Sequence, residues 1–262
     1  MNNYRRGRPV SINKCRLEPR AGKDYAELLF FGDLHLGYPT CLLEEKAKPN
    51  LDYCLKNGIY VLGMGDLLEC GTTDSVGDSV YHQTLNPHDQ MDECVELLRP
   101  LAKAGLLIGL MFGNHEARIR NKTSIDATRV MCSILDVPYL FNARWNYLKV
   151  GTQNYKVYAQ HGKSGAKFAH SKLKVATDAV SSIKCDIGAY AHVHDMITNT
   201  LEEQDIDRKN KTIKYTKKMI IVTGHYLGWD GSYAQGAGYT IGKVGSPKVK
   251  LFANRKDIHV SI

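Results

Sequence analysis

The chain has 262 residues, enough for one large domain with a substantial core, and a second independent domain is not expected. Lys and Arg number 35 against 27 Asp and Glu, a formal charge of +8 that suits either a polyanionic partner or plain solubility. Seven cysteines with no C-x-x-C, no run of about 18 apolar residues and a basic start without an apolar stretch argue against a disulfide scaffold, a spanning helix or a secretory leader. The cytoplasm is the expected address, with no membrane partner.

Residues 1–22 read as a polar, basic extension with little order, and 23–262 as a single domain. Residues 25–31, 59–64, 106–112 and 185–190 are short apolar runs that predict buried strands, each ending at a polar block. Between the first three, helices are expected over 40–57, interrupted at Pro49, and over 88–104, where Met91, Val95, Leu98 and Leu101 keep a helical period. This order implies right-handed crossovers and largely parallel pairing. A helix over 122–136 would bury Ile125, Val130, Ile134 and Leu135. Strands over 145–150 and 154–160 form a hairpin with Gly151-Thr152 at its turn. Residues 166–183 read as helix, and 196–201, 211–216, 218–223 and 248–252 as strands of a second, mostly antiparallel sheet. The simplest closure is α/β, two sheets with helices outside them.

Five polar blocks sit at strand ends: G-D-L-H at 32–35, G-D-L-L-E at 65–69, G-N-H-E at 113–116, Q-H-G at 160–162 and A-H-V-H at 191–194. Open α/β sheets collect functional groups there, because loops leaving the carboxyl ends of several strands face one crevice. The blocks supply Asp33, His35, Asp66, Asn114, His161, His192 and His194, a carboxylate, imidazole and amide set suited to divalent transition metals. His115 is left for proton transfer. Glu116 either orients that imidazole, caps the following helix or pairs with Arg118.

In these blocks, over about residues 27–225, the chain resembles the calcineurin-like metallophosphoesterase superfamily. The resemblance implies a four-layer sandwich of two mixed β-sheets flanked by helices, the metallo-dependent phosphatase fold. It implies two divalent cations, manganese first with iron, zinc or nickel also admissible. Asp33, His35, Asp66 and His194 would hold one and Asp66, Asn114, His161 and His192 the other, so that Asp66 bridges. The implied reaction is attack on phosphorus by a hydroxide held between the cations, with His115 assisting the leaving oxygen. One letter departs from the family pattern, Ala191 where glycine is usual; the histidines after it still reach the metals unless the turn requires a positive φ at that position.

The substrate rests on the surroundings of the blocks. Arg118, Arg120 and Lys122 follow one block, and Lys163, Lys167, Lys172 and Lys174 another; Lys163, Lys167 and Lys174 would share one helix face, either tracking a phosphate backbone or simply solvated. Arg118 is the foremost phosphate contact expected. Loop 70–90 offers His82 and His88 to substrate, and segment 224–245, with seven glycines, carries Tyr226, Trp229, Tyr233 and Tyr239, either base-stacking or core-packed. The expected activity is that of a metal-dependent nuclease, DNA favoured, resembling double-strand-break repair nucleases in its metal blocks and stand-alone, of the kind phages encode. The alternatives are a phosphomonoesterase or small-molecule phosphodiesterase with the same metals, and a nucleic-acid-binding protein with a vestigial site.

Overall fold

The computed structural model describes residues 12–73, 75 and 79–262. Among them, the first sheet carries β1 (Asn13–Leu17), β5 (Ala143–Val150), β6 (Gln153–Gln160), β7 (Ile187–Tyr190), β9 (Thr212–Thr223) and β8 (Met196–Asp207), in that spatial order. The second carries β11 (Ile258–Ser261), β10 (Lys248–Phe252), β2 (Tyr25–Phe31), β3 (Tyr60–Gly63) and β4 (Leu107–Leu110). β2, β3 and β4 run parallel, as do β6, β7 and β9, while β5, β8, β10 and β11 pair antiparallel with a neighbour. Both sheets are therefore mixed.

The apolar runs are continuous because both faces of these strands are covered. Alternate residues of β2 divide the core: Leu28 and Phe30 face the other sheet, packing with Leu148, Val157, Ile187 and Ile221. Leu29 and Phe31 face the helices α1 (Lys48–Asn57), α3 (Pro87–Lys103) and α5 (Ala127–Leu135), through Leu51, Cys54, Val95, Leu98 and Met131. Helix α6 (Ala169–Ala179) covers the outer face of the first sheet with Ala176 against Ile220 and Val222. The result is the four-layer sandwich of two mixed sheets flanked by helices. Each fully buried Leu or Phe contributes about 1.5–3 kcal/mol. No helix among the described residues is long and apolar enough to cross a membrane.

Several expected boundaries move. Residues 1–11 lie outside the described residues, but Asn13–Leu17 is not a loose extension: it pairs in parallel with β5 as an edge strand. Pro49 does not interrupt a helix; it stands in the first turn of α1, after a π-type turn at Leu43–Ala47. The helix expected over 122–136 is two, α4 (Asn114–Thr123) and α5. Ser124 in the left-handed region ends the first, and the Asp126 carboxylate accepts from Arg129 N at 3.0 Å to start the second. The buried face of α5 is accordingly Ala127, Thr128, Met131, Cys132 and Leu135, whereas Ile125, Val130 and Ile134 are exposed. The strands expected over 211–216 and 218–223 are one, β9, which begins at Thr212, and 248–252 adds antiparallel to β2 in the other sheet. Two further short helices are α2 (Ser79–His82) and α7 (Tyr233–Gly236).

Candidate metal centre

Loops leaving the carboxyl ends of β2, β3 and β4 meet those leaving β6, β7 and β9, so the polar blocks of both sheets converge. Asp33, His35, Asp66, His192 and His194 have φ of 49°, 53°, 49°, 70° and 48°, left-handed values that are strained for L-residues. Hydrogen bonds between loops hold them there: Asp33 N to Gly65 O at 2.9 Å, His35 N to Asp66 O at 3.0 Å and Tyr226 N to Asp33 O at 2.9 Å. Gly113 is required by proximity, since a Cβ there would stand 2.0 Å from Asp66 Oδ1. Ala191 is not among the positive-φ residues; His192 takes that conformation instead.

Glu116 neither orients His115 nor pairs with Arg118. Its carboxylate accepts from the backbone N–H groups of Gly113, Asp66, Leu67 and Leu68 at 2.7, 3.1, 2.7 and 3.0 Å. It caps α4 and also ties that helix to the loop after β3.

Among the described residues three groups bring potential ligand atoms within 4.8 Å of one another: a first cluster of Asp33, His35 and His194, a second of Asp66, His161 and His192, and a group of His35, Glu69 and His115 that shares His35 with the first. Asn114 joins the second, its Oδ1 lying 3.2 Å from His161 Nε2. Each carboxylate has one oxygen tied to backbone: Asp33 Oδ2 accepts from His192 N at 3.0 Å, and Asp66 Oδ1 from His115 N at 2.8 Å. The other oxygens, Asp33 Oδ1 and Asp66 Oδ2, are buried and accept no aligned hydrogen bond. They face His194 Nε2 at 3.3 Å and His161 Nε2 at 3.2 Å. The outer nitrogens of three imidazoles are committed elsewhere. His35 Nδ1 donates to Glu69 Oε2 at 3.0 Å, His161 Nδ1 to Met64 O at 2.9 Å and His192 Nε2 to Ser164 O at 3.1 Å. Each therefore turns its remaining nitrogen inward, the arrangement by which proteins orient metal-ligating histidines. Buried carboxylate oxygens without a donor, opposed by imidazole nitrogens, fit divalent transition metals.

Glu69 is the functional residue that the motif reading passed over. It is buried, with Oε2 also 3.1 Å from His115 Nδ1 and Oε1 3.1 Å from Arg118 Nη1, so one carboxylate orients His35, His115 and Arg118 together. Its place as last letter of G-D-L-L-E was the available signal. Burial opposes its charge, but the hydrogen bonds from His115 and His35 hold its pKa far below the usual carboxylate range. Burial pushes His115 down, yet the Asp66 and Glu69 carboxylates outweigh it and raise its pKa. His225, in the segment after β9, stacks on His194 with ring centroids 5.1 Å apart, and burial pushes it down to about 3.

Asp66, Asn114, His115, His192, His194, Glu69 and Arg118 border a common cavity of about 280 Å³. Arg118 places Nη2 3.2 Å from His115 Nε2. The other expected substrate contacts do not line the cavity: Arg120 sits over the Phe112 ring and near Asp126, His88 is exposed beside Asp92, and His82 is exposed at the end of α2. The shared lysine face is not formed, because α6 begins at Ala169 and leaves Lys163 and Lys167 in the preceding loop. Lys172, by contrast, is buried at the cavity with Nζ 3.4 Å from Asp195 Oδ2. Of the four aromatics in segment 224–245, Tyr226 is core, Trp229 and Tyr239 line the cavity, and the side chain of Tyr233 lies outside what the structure describes.

No protein-family model and no curated protein matches the chain. Among solved structures, wild-type Vps29 from Entamoeba histolytica, crystallised in complex with zinc, aligns with 90% of this chain and 97% of its own at 14% identity and a TM-score of 0.40. A single mutant of the same protein aligns with the same coverage, identity and score.

Proposed function

We propose that this chain is a two-metal phosphodiesterase that cleaves nucleic acid, DNA foremost. The observation carrying that reading is the pair of buried clusters, each with an unsatisfied carboxylate oxygen, bordering one cavity with His115 and Arg118. Asp33, His35, Asp66 and His194 would hold one cation and Asp66, Asn114, His161 and His192 the other, Asp66 being shared. Bound there, two such cations polarise phosphoryl oxygens and lower the pKa of water. Arg118, fixed by Glu69, offers a guanidinium to a phosphate oxygen at the cavity wall. His115, with Nδ1 committed to Glu69 and its pKa raised, supplies a proton to the leaving oxygen. The mixed oxygen and nitrogen donors accept manganese, iron, zinc or nickel, and manganese is the first ion to test. The charge of +8 supports a polyanionic substrate.

A small phosphodiester is the second reading, favoured because Arg120, Lys163 and Lys167 stay off the cavity. Purified protein with manganese, assayed on single-stranded and duplex DNA, RNA, p-nitrophenyl phosphate and bis-p-nitrophenyl phosphate, separates the two. Strand cleavage is expected. Turnover of the monoester alone would overturn the diesterase reading, and turnover of the small diester without strand cleavage would select the second. His115→Ala should retain both cations and lose about 10²–10⁴-fold in turnover on a diester with a poor leaving group. Full activity there would remove His115 from the reaction.

A further inference from the structure

The cavity has a second half that holds no metal-ligand candidate. Its wall comes from the segment after β9 and includes Leu227, Gly228, Trp229, Ala234, Ala237 and Tyr239. Backbone and side-chain bonds fasten this segment on both sides of the site. Gly228 N donates to Thr40 O at 2.7 Å, Thr240 Oγ1 to Lys167 O at 2.7 Å, and Lys167 Nζ to Ala237 O at 2.5 Å. Trp229 Nε1 donates to Tyr239 O at 3.3 Å, so the indole spends its one polar group on the segment itself. What Trp229 offers the cavity is flat, apolar surface. Tyr239 is contacted by Lys167, whose Nζ stands over the ring, 5.3 Å from its centroid.

A ligand that fits must therefore carry a phosphate at the histidine and carboxylate end and a flat, weakly polar group at the other. At about 280 Å³ the cavity lies at the small end of ligand pockets, which begin near roughly 300 Å³, and it has room for one such group but not for a duplex. We propose that Trp229 and Tyr239 form a base seat: the nucleobase next to the scissile phosphate stacks on them, and substrate enters as a nucleotide diester or an unpaired strand end. Stacking on aromatic faces tolerates any base, so the seat selects an unstacked nucleotide and not a sequence. The identity of the phosphate-bearing group rests on the phosphodiesterase reading above.

The chain has two tryptophans, so Trp145→Phe leaves Trp229 as the sole indole reporter. In that background, with manganese present, thymidine 5′-monophosphate should quench the fluorescence and bind about ten-fold more tightly than 2-deoxyribose 5-phosphate. By calorimetry, Trp229→Ala and Tyr239→Ala should each remove most of that preference with sugar-phosphate affinity unchanged, and Trp229→Phe should restore it. Equal affinity of the unsubstituted protein for both ligands, or a preference that survives both alanine variants, would overturn the seat. Turnover of bis-p-nitrophenyl phosphate is scored separately. Absence of both this turnover and strand cleavage defeats the phosphodiesterase reading alone, whereas turnover without a base preference defeats the seat alone.

Discussion

In the first cluster the imidazole of His35 is oriented by a carboxylate, Glu69, whereas in the second His161 and His192 are oriented by the carbonyl oxygens of Met64 and Ser164. Their titration differs more than their construction. Burial, then the neighbouring His115, pushes His35 down to about 4, despite Glu69. Burial also acts against a charged His161, but Asp66 and then Asp33 outweigh it and lift its pKa to about 10. At neutral pH a cation would meet a neutral His35 in the first cluster, while in the second it would have to displace a proton from His161. Similar donor sets thus acquire unequal readiness from the charges around them.

Asp66→Asn should collapse the distinction and gives the largest effect expected. If the carboxylate is shared, metal content falls from two equivalents to fewer than one per chain, with affinity down more than about 100-fold, beyond the range for outer partners of a ligand. Elemental analysis reads this directly. Loss of one equivalent only would confine Asp66 to the second cluster, and two full equivalents would contradict sharing. Glu69→Gln acts on the other side of the comparison. It removes the carboxylate behind His35 and should weaken the first cation about 10–100-fold while leaving the second unchanged. Equal weakening of both would show that Glu69 orients the whole centre.

How far these features were legible in the sequence follows from the range of the forces behind them. The strands were readable because burial on both faces writes an uninterrupted apolar run, and the ligands because each sits in a short polar block where such a run ends. Glu69 stands in one of those blocks, but its partners His35, His115 and Arg118 lie 34 to 49 positions away, so its work appears only once the strands are packed. Helix α4 escaped because it has no apolar stripe; Glu116 fixes its start by collecting amides from another loop. Left-handed backbone at five candidate ligand positions runs against local preference and persists through bonds between loops. The lysine face failed for a simpler reason: α6 begins at residue 169, which excludes Lys167, and Lys163 precedes even the expected start at 166.

Solution pH offers a finer test of the two clusters. Below about 10, affinity for the second cation should rise roughly tenfold per pH unit as the His161 proton becomes easier to displace, whereas His35 contributes no such slope above about 4. Calorimetry in buffers of different ionisation enthalpy should count close to one proton released with the second equivalent and none from His35 with the first. Identical pH slopes would erase the asymmetry. In metal-free protein the sign reverses: protonated His161 stabilises the fold fully below its ordinary value of 6.5, and that contribution fades as pH rises through about 10.

The smallest effect is expected at Ala191, which lies between the clusters' shared loop and the core. Its N–H donates to Gln160 O at 3.2 Å, and its side chain is buried between the sheets. The left-handed turn that would favour glycine falls one position later, at His192. Ala191→Gly therefore relieves no strain and adds freedom to the unfolded chain, which should cost about 0.5–1 kcal/mol and lower Tm by about 1–4 °C. Metal content in both clusters should not change. A gain in affinity for either cation would mean that the methyl group limits how closely the 192–194 loop approaches Asp33, and would tie the two clusters together through His192 N, a backbone amide that already joins them.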